Sequence, residues 1–481
     1  MGREAPDAAA SALFLLKSFF VEERSLKFIA GACGAEIRNG ADDLKISQIS
    51  TDSRSVKAGE LFFAIRGDKF DGHDYLDEVA AKKVAAVVVG RKKVPARLPG
   101  CAALVVEDVR AALGKLAAAY RADFSLPVIA VAGSNGKTTT KELVAAVLRQ
   151  KFSTLWSEAS FNNDIGVPIT LLKLEKTHQV AVLETGTNHP GELAPLVRMI
   201  QPGLGIITNI GREHLEFFGD IEGVAQEEGW LAELLPAGGK LFINGDNDLT
   251  GKIASRTRAT VIRVGLGEKN DWRARGIRLD KNGGTFQVVS AREEFNGEYR
   301  VNLLGRHQVM NALLAIGVGA ELGLNRAEIQ RGLADCQPPK MRMQFWEANG
   351  VRVLDDAYNA NADSMRAALE TLCDLPFQGR RVAILGDMGE LGQQSEAAHR
   401  EIGRYAAELK IGQLFTVGKM AALMARAARD AGLTRVIEFE EVEAAVRAVK
   451  NFLKPGDVVL LKASRSSRLE RIAETLKSEK S

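Results

Sequence analysis

Residues 127–150 read PVIAVAGSNGKTTTKELVAAVLRQ and contain, in order, a strand pattern, a glycine loop and a helix pattern. The apolar run Pro127–Ala132 is typical of a parallel strand that is covered on both faces. A helical pattern then runs from Thr138 to about Gln150. Small residues between a strand and a helix let backbone N–H groups approach phosphate oxygens, and the helix N-terminus adds its positive end. The stretch therefore predicts a phosphate-binding loop.

The loop itself has the composition of an ATP site. Lys137 is placed to reach the β- and γ-phosphates, and the Thr138 hydroxyl is placed to bind Mg²⁺. Val131 departs from the standard spacing, which has a glycine there, so a plain glycine turn is the alternative. We predict ATP and Mg²⁺ as cofactors, with the nucleotide held by Gly133, Ser134, Asn135, Gly136, Lys137, Thr138 and Thr139.

Two more apolar runs end in polar residues. Val180–Leu183 precedes Glu184, and Gly205–Thr208 is followed, after a short loop, by His214. Ligands of open α/β sheets bind at the carboxyl ends of strands, so Lys137, Glu184 and His214 are predicted to form a catalytic metal–phosphate site. A capping or solvated glutamate and a packing or surface histidine are the alternatives.

The chain is too long for one hydrophobic core, because 481 residues exceed the usual size of a single domain. Strand and helix patterns alternate through most of it, which predicts an α/β fold with three domains. We predict an N-terminal domain over 1–125, a central P-loop ATPase domain with a parallel sheet over 126–337, and a doubly wound, Rossmann-like C-terminal domain over 338–481. The last domain lacks GxGxxG after its first strand, which disfavours a dinucleotide-dependent dehydrogenase.

Composition excludes several classes of protein. The 64 basic and 61 acidic residues nearly balance, which does not favour a nucleic-acid partner. The four cysteines form no CxxC pair, which is typical of reduced packing thiols. The apolar segment Ser11–Phe20 is too short for a membrane span and is predicted to be a packed helix. We expect a cytoplasmic monomer without membrane insertion.

The C-terminal region carries two further polar segments at strand ends. Asp355–Asn361 follows the first strand pattern of that region and Gly386–Gly392 follows the second. Both place acidic and amide groups at the ligand edge of the predicted sheet. Asp363 is a good helix N-cap, so capping explains part of the first segment.

Together these segments resemble the Mur ligases over nearly the whole chain after about residue 25. TNHPGE and DDAYNAN are the segments that distinguish among members of the family. The resemblance rests on ISTDSR (49–54), FFAIRGDKFDGHDY (62–75), GSNGKTT (133–139), FNNDIGVP (161–168), ETGTNHPGE (184–192), TNIGREHLEFFG (208–219), GRHQVMNALLA (305–315), DDAYNANADSM (355–365), GDMGELG (386–392) and SRSSRLE (464–470).

The resemblance implies an ATP-dependent ligase of peptidoglycan synthesis. Its substrates would be a UDP-N-acetylmuramoyl-tripeptide and D-Ala-D-Ala, joined through an acyl phosphate. A sister ligase for a diamino acid or for folate glutamates is an alternative, and so is a P-loop ATPase that does not ligate.

The resemblance also implies roles for individual residues. The N-terminal domain over 1–125 would bind the UDP-linked substrate, and Asp52, Ser53 and Arg54 match its uridine nucleotide pocket. Mg²⁺ is expected on Thr138, Glu184 and His214. The remaining expected contacts are Asn311 with adenine, Arg342 with phosphate, Asp356 with ribose, and Asn163, Tyr358 and Asn359 with substrate.

Glu228 is the main departure from the family pattern, which usually has a lysine there. In related ligases that lysine is carbamylated and helps to bind a second metal. We predict that the Glu228 carboxylate supplies the same hard oxygen ligand. An exposed helical glutamate beside Glu227 is the alternative.

Overall fold

The structure, a computed structural model, describes residues 18–67, 69–95 and 100–478. They form an α/β protein with three β-sheets. The helix predicted over Ser11–Phe20 lies outside the described residues up to residue 17, and Phe19 and Phe20 belong to a strand instead. No helix in the described part of the chain is long and apolar enough to cross a membrane.

The first sheet has six strands, and its parallel centre is built from short apolar runs. Its strands are β1 (Phe19–Ser25), β2 (Glu36–Arg38), β3 (Lys45–Ser50), β4 (Leu61–Phe63), β5 (Ala86–Gly90) and β6 (Ala102–Val106). They lie in the order β1–β3–β4–β5–β6–β2, with antiparallel strands at both edges. Its helices are α1 (Leu26–Cys33), α2 (Leu76–Ala81) and α3 (Val109–Ala122). Asp108 caps α3 by accepting a hydrogen bond from Ala111 N.

The second sheet has nine strands and carries the glycine loop. Its strands are β7 (Val128–Ala132), β8 (Thr154–Trp156), β9 (Val180–Glu184), β10 (Leu204–Ile207), β11 (Lys240–Asn244), β12 (Thr260–Gly265), β13 (Trp272–Asp280), β14 (Gly283–Ser290) and β15 (Gly297–Val301). Their order is β15–β14–β13–β12–β11–β10–β7–β9–β8. Strands β13 to β15 pair antiparallel, which explains the alternating pattern in this part of the sequence.

The helices around the second sheet alternate with its strands. They are α4 (Lys137–Leu148), α5 (Gly166–Leu172), α6 (Leu193–Ile200), α7 (Leu215–Phe218), α8 (Ile221–Glu228), α9 (Trp230–Leu234), α10 (Asp248–Ala254), α11 (His307–Glu321) and α12 (Arg326–Asp335). Helix α11 is buried along most of its length, because its central residues 312–320 (ALLAIGVGA) are all apolar or glycine.

The third sheet forms the C-terminal domain. Its strands are β16 (Gln344–Ala348), β17 (Val351–Asp356), β18 (Arg381–Gly386), β19 (Gln413–Val417), β20 (Val436–Phe439) and β21 (Val458–Lys462), and its helices are α13 (Ala362–Asp374), α14 (Ser395–Glu408), α15 (Ala421–Asp430), α16 (Val442–Phe452) and α17 (Glu470–Lys477). The order is β16–β17–β21–β18–β19–β20, parallel except for β16. The predicted α/β class and the doubly wound C-terminal domain are confirmed.

The chain divides into two compact units. The first comprises Met1–Ala130, Phe152–Thr187 and Gly191–Leu204, and the second comprises Val131–Lys151, Asn188–Pro190 and Gly205–Ser481. The second unit therefore contains the glycine loop, helix α11 and the whole third sheet. The domain boundaries at residues 125 and 337 stay predictions.

Candidate active site

The glycine loop lies between β7 and α4, where the sequence predicts it. Gly133 and Gly136 have φ values of 111° and 86°, which favour glycine. A Cβ atom at Gly136 would lie 2.8 Å from Asn311 Oδ1, and one at Gly133 would lie 2.8 Å from the Asn209 carbonyl oxygen. Helix α4 begins at Lys137, directly after the loop, and has no side-chain cap. This is the backbone arrangement of a phosphate site.

The segment after β10 holds the loop in shape. Ser134 N donates to the Asn209 carbonyl oxygen at 2.9 Å, and Asn135 N donates to Asn209 Oδ1 at 2.8 Å. Gly211 N donates to Ser134 Oγ at 2.8 Å. These bonds fix the loop because they engage both its backbone and the Ser134 hydroxyl.

The Lys137 ammonium lies over the loop. It contacts the carbonyl oxygens of Gly133 and Ser134, and its Nζ is 3.4 Å from Glu213 Oε2. Both side chains are largely buried, at 13% and 9% exposure. Glu213 was not predicted as a site residue, although it directly precedes His214 in the segment TNIGREHLEFFG.

Glu228 is the last residue of α8 and is fully buried. Its Oε2 accepts a 2.6 Å hydrogen bond from Gly133 N, and its Oε1 has no hydrogen-bond partner among the described residues. Burial raises the pKa of Glu228 to about 7, against the lowering effect of Lys137. The alternative of an exposed helical glutamate is therefore wrong.

His214 joins the glycine-loop region to the C-terminal domain. Its Nδ1 lies 2.5 Å from Glu390 Oε2, and its Nε2 lies 4.0 Å from Glu213 Oε2. Burial lowers the pKa of His214, but the hydrogen bond with Glu390 and the charge of Glu213 outweigh it and raise the pKa. Both His214 and Glu390 have left-handed backbones, with φ values of 49° and 60°. Such conformations cost energy and cluster at functional sites.

Glu184 ends β9 in the first unit and is 1% exposed. Its Oε1 accepts a 2.8 Å hydrogen bond from Asn162 Nδ2, and its backbone N donates to Ser157 Oγ at 3.1 Å. The solvated alternative is thus wrong for Glu184. Asn163 Oδ1 accepts from the backbone of Ile165 and Gly166 before α5, so it has a structural role in the segment.

Mg²⁺ prefers oxygen ligands, and the glycine-loop region offers them in part. The buried, unpartnered Glu228 Oε1 fits a hard cation. Among the described residues, however, no three His, Cys, Asp or Glu side chains converge on one metal position. Mg²⁺ usually binds one or two carboxylates together with phosphate oxygens and water, so the residues fit an ion held jointly with a nucleotide.

The predicted nucleotide contacts of Asn311, Arg342 and Asp356 fall at two places in the second unit. Asn311 Oδ1 accepts from Thr140 Oγ1 at 3.1 Å, beside the glycine loop. The Arg342 guanidinium lies 4.2 Å from the centre of the Tyr358 ring. Asp356 accepts from Met343 N at 3.1 Å and from Lys462 Nζ at 2.6 Å.

Lys462 is a residue that the sequence analysis missed, and it is 2% exposed. It also donates to the Asn359 carbonyl oxygen at 3.1 Å. Its position in the sequence could have indicated a site residue, because Lys462 ends the parallel strand β21 and ligands of such sheets bind at the carboxyl ends of the strands.

The predicted uridine residues lie in the first unit, in the loop after β3. Arg54 Nη2 is 2.7 Å from Asp52 Oδ2, and this pairing lowers the pKa of Asp52. The Ser53 carbonyl oxygen accepts from Lys82 Nζ at 2.5 Å. The three residues thus form one ordered turn.

The fold and the loop define a class, the P-loop nucleotide-binding α/β proteins. Three family profiles narrow it further: the Mur ligase middle domain matches residues 131–319, the Mur ligase glutamate ligase domain matches 341–465, and the Mur ligase family catalytic domain matches 45–121. The chain belongs to the Mur ligase family.

Individual relatives are similar over their whole length. A UDP-N-acetylmuramoyl-tripeptide–D-alanyl-D-alanine ligase of Bacillus subtilis is 34% identical over 457 residues, covering 94% of this chain and 98% of the relative. A protein of the same name from Escherichia coli is 34% identical over 439 residues, covering 90% and 94%.

Solved structures show the same similarity. The crystal structure of MurF from Acinetobacter baumannii superposes with a TM-score of 0.87 at 31% identity, covering 96% of this chain and 100% of that chain. The MurF ligase of Thermotoga maritima in complex with ADP gives a TM-score of 0.79 at 26% identity, covering 90% and 97%.

Proposed function

We propose that this chain is an ATP-dependent ligase that joins D-Ala-D-Ala to a UDP-N-acetylmuramoyl-tripeptide. The observation that carries the proposal is the glycine loop, where the Lys137 ammonium and the buried Glu228 carboxylate both contact Gly133. The whole-length similarity to proteins of that name supports the choice of substrates. ATP use is supported by the similar structure that contains ADP.

The first half of the reaction activates the tripeptide. A carboxylate oxygen attacks the γ-phosphorus in line, the bond to the bridging oxygen breaks, and ADP leaves. Two anions must meet in this step, so the Lys137 charge stabilises the transition state. The N–H groups at the N-terminus of α4, which begins at Lys137, orient the phosphates.

A bound Mg²⁺ would neutralise phosphate charge. We propose that Thr138, His214 and Glu228 hold it, and Glu184 enters the set from the family resemblance. Glu390 fixes the orientation of the His214 ring through Nδ1.

The second half forms the peptide bond. The neutral amine of the dipeptide attacks the acyl carbon of the acyl phosphate, the carbon–oxygen bond to phosphate breaks, and the amine gives up a proton. The products are the amide, ADP and phosphate.

The other substrate contacts follow the family resemblance. We propose Asp52, Ser53 and Arg54 for the uridine nucleotide, together with Asn163, Tyr358 and Asn359 for the remaining substrate and Asn311, Arg342 and Asp356 for adenine, phosphate and ribose. We further propose that the enzyme acts in the cytoplasm as a monomer, where it would serve cell-wall synthesis, cell shape and division.

A phosphate-release assay tests the function. Purified protein, ATP and Mg²⁺ are combined with the nucleotide tripeptide, with and without D-Ala-D-Ala. Released phosphate is measured, and the mass of the product is determined by mass spectrometry. Phosphate release that requires both substrates, with a product heavier by the dipeptide less water, supports the proposal.

The alternatives give different results in the same assay. A sister ligase would accept a diamino acid, or glutamate with a folate, in place of the dipeptide. An ATPase that does not ligate would release phosphate at the same rate without any amine. Either result would contradict the proposed substrates.

A further inference from the structure

Arg212 lies between the glycine loop and the C-terminal domain. Its Nε and Nη2 donate to Asp363 Oδ1 at 3.0 and 2.7 Å, and its backbone N donates to Asp363 Oδ2 at 2.9 Å. Its Nη1 and Nη2 also donate to Glu401 at 2.7 and 3.1 Å. One guanidinium therefore links the segment after β10 to both α13 and α14.

The geometry of the bonds from Arg212 to Asp363 and Glu401 makes them stronger than most partly exposed ion pairs. A planar guanidinium that bonds two carboxylates in a fork gains both charge and direction. The three side chains retain only 29%, 35% and 30% exposure, so water screens them incompletely. Arg212 lowers the pKa of Glu401, and the two carboxylates raise the pKa of Arg212.

Gly211 shows how closely the segment after β10 approaches α13. A Cβ atom at Gly211 would lie 2.8 Å from Asp363 Oδ2, so a larger residue at position 211 would displace the Asp363 carboxylate from Arg212. Gly211 is also the residue that bonds Ser134 of the glycine loop. The same two-residue segment thus contacts the phosphate site on one side and α13 on the other.

A second bond crosses at the same place. Asn361, the N-cap of α13, donates from Nδ2 to Asn135 Oδ1 in the glycine loop at 3.0 Å. This neutral bond is weaker than the charge-assisted bonds of Arg212. Arg212 is therefore the main polar tie among the described contacts between α13 and the glycine-loop region.

We propose that Arg212 is a positioning residue that clamps the C-terminal domain against the glycine loop during ligation. The clamp rests on the proposed function, because it aligns groups of the C-terminal domain with the phosphates bound at the loop. Its loss lowers the rate of the aligned reaction more than it lowers ATP affinity.

Kinetics of single variants test the clamp. Arg212→Gln should lower kcat for ligation by roughly 10- to 100-fold, the usual cost of a small misalignment, while the Kd for ATP changes less than about threefold. Arg212→Lys keeps the charge but loses the fork, so it should fall between wild type and Arg212→Gln. If Arg212→Gln does not fold, Arg212→Lys alone carries the comparison.

Arg366→Gln is the matched control. Arg366 also approaches Glu401, at 3.5 Å, and the substitution removes the same charge, but both residues belong to the C-terminal domain. Its kcat should stay near that of wild type. In a Glu401→Gln background, Arg212→Gln should lower kcat by a smaller factor than it does in wild type, because the Arg212–Glu401 ion pair is already broken.

Hydrogen exchange tests the Arg212 contact directly and does not depend on the proposed ligase activity. Hydrogen exchange of residues 361–366 should be faster in Arg212→Gln than in wild type, because the contact that protects the start of α13 is lost. Wild-type kcat in Arg212→Gln, an equal loss in Arg366→Gln, or unchanged protection would overturn the clamp. A wild type that shows protection without ligation would overturn the proposed substrates and leave the clamp supported.

Discussion

Gly133 N donates a 2.6 Å hydrogen bond to Glu228 Oε2, which joins the first residue of the glycine loop to the end of α8. The carboxylate is fully buried, and its other oxygen has no hydrogen-bond partner among the described residues. Buried carboxylates are costly unless they are paired or bind a cation. The relationship therefore supports Glu228 as an oxygen ligand that needs no carbamate.

Removing the Glu228 carboxylate should raise the Mg²⁺ requirement. Glu228→Ala is expected to increase the Mg²⁺ concentration for half-maximal phosphate release by about 10-fold or more, the usual cost of a lost metal partner. Glu222→Ala is the control, because Glu222 is exposed on the same helix. An unchanged Mg²⁺ dependence of Glu228→Ala would show that this residue does not hold the ion.

Activity should also be independent of dissolved CO₂. The carboxyl group of Glu228 is part of the encoded side chain, whereas a lysine carbamate forms only with CO₂. Wild-type turnover is expected to stay the same when bicarbonate is stripped from the buffer and then restored. Loss and recovery of turnover in that experiment would place a carbamate elsewhere in the chain.

Lys137→Ala should abolish ligation and leave the fold intact. The ammonium contacts loop carbonyl oxygens and Glu213, so its main contribution is charge at the phosphate site. We expect kcat to fall by about 10³-fold or more, with an unchanged circular dichroism spectrum. Lys252→Ala, on the exposed side of α10, should keep full activity. Near-normal turnover of Lys137→Ala would contradict the assignment.

Glu390→Gln should weaken the reaction through His214. The substitution removes the carboxylate that lies 2.5 Å from His214 Nδ1, and with it the fixed orientation of the ring. Partners of this kind are worth about 10- to 100-fold in activity or metal affinity, so kcat should fall within that range. Glu396→Gln, at an exposed position of α14, is the control. Equal kinetics of the two variants would remove Glu390 from the site.

Asp71 should stabilise the folded protein above about pH 4. Burial acts to raise the pKa of Asp71, but bonds from Lys93 and His73 outweigh it and hold the pKa at about 2. The unfolded chain has a pKa of about 3.9, so this stabilisation is present at neutral pH and is lost as the pH falls from about 4 toward 2. Asp71→Asn should lower the free energy of unfolding by about 1 kcal/mol at pH 7.

Urea midpoints measure the effect of Asp71. The gap between wild type and Asp71→Asn should persist at pH 5 and shrink at pH 3. Asp77→Asn changes the same charge at an exposed position of α2 and should show no gap. A difference in urea midpoint between wild type and Asp71→Asn that increases as the pH falls would mean that the folded protein does not stabilise the Asp71 anion.

The strand, loop and helix around Lys137 were predictable because each depends on residues close in sequence. An apolar run, a glycine cluster and a helical period are local patterns. The alternation in the C-terminal domain was predictable for the same reason. Strands β8 and β11 and the antiparallel edge strand β16 were missed, because each contains an uninterrupted apolar run of only two or three residues.

Only the tertiary structure decided the partners of the site residues. The sequence by itself determined that Lys137 ends a glycine loop and that His214 follows a strand. Folding places Glu228, 95 residues away, against Gly133, and Glu390, 176 residues away, against His214. No local pattern specifies such pairs, because they depend on how α8 and the loop after β18 pack against the glycine-loop region. Burial of Glu228 follows from that packing, since a charged residue at a helix end is exposed unless another element covers it.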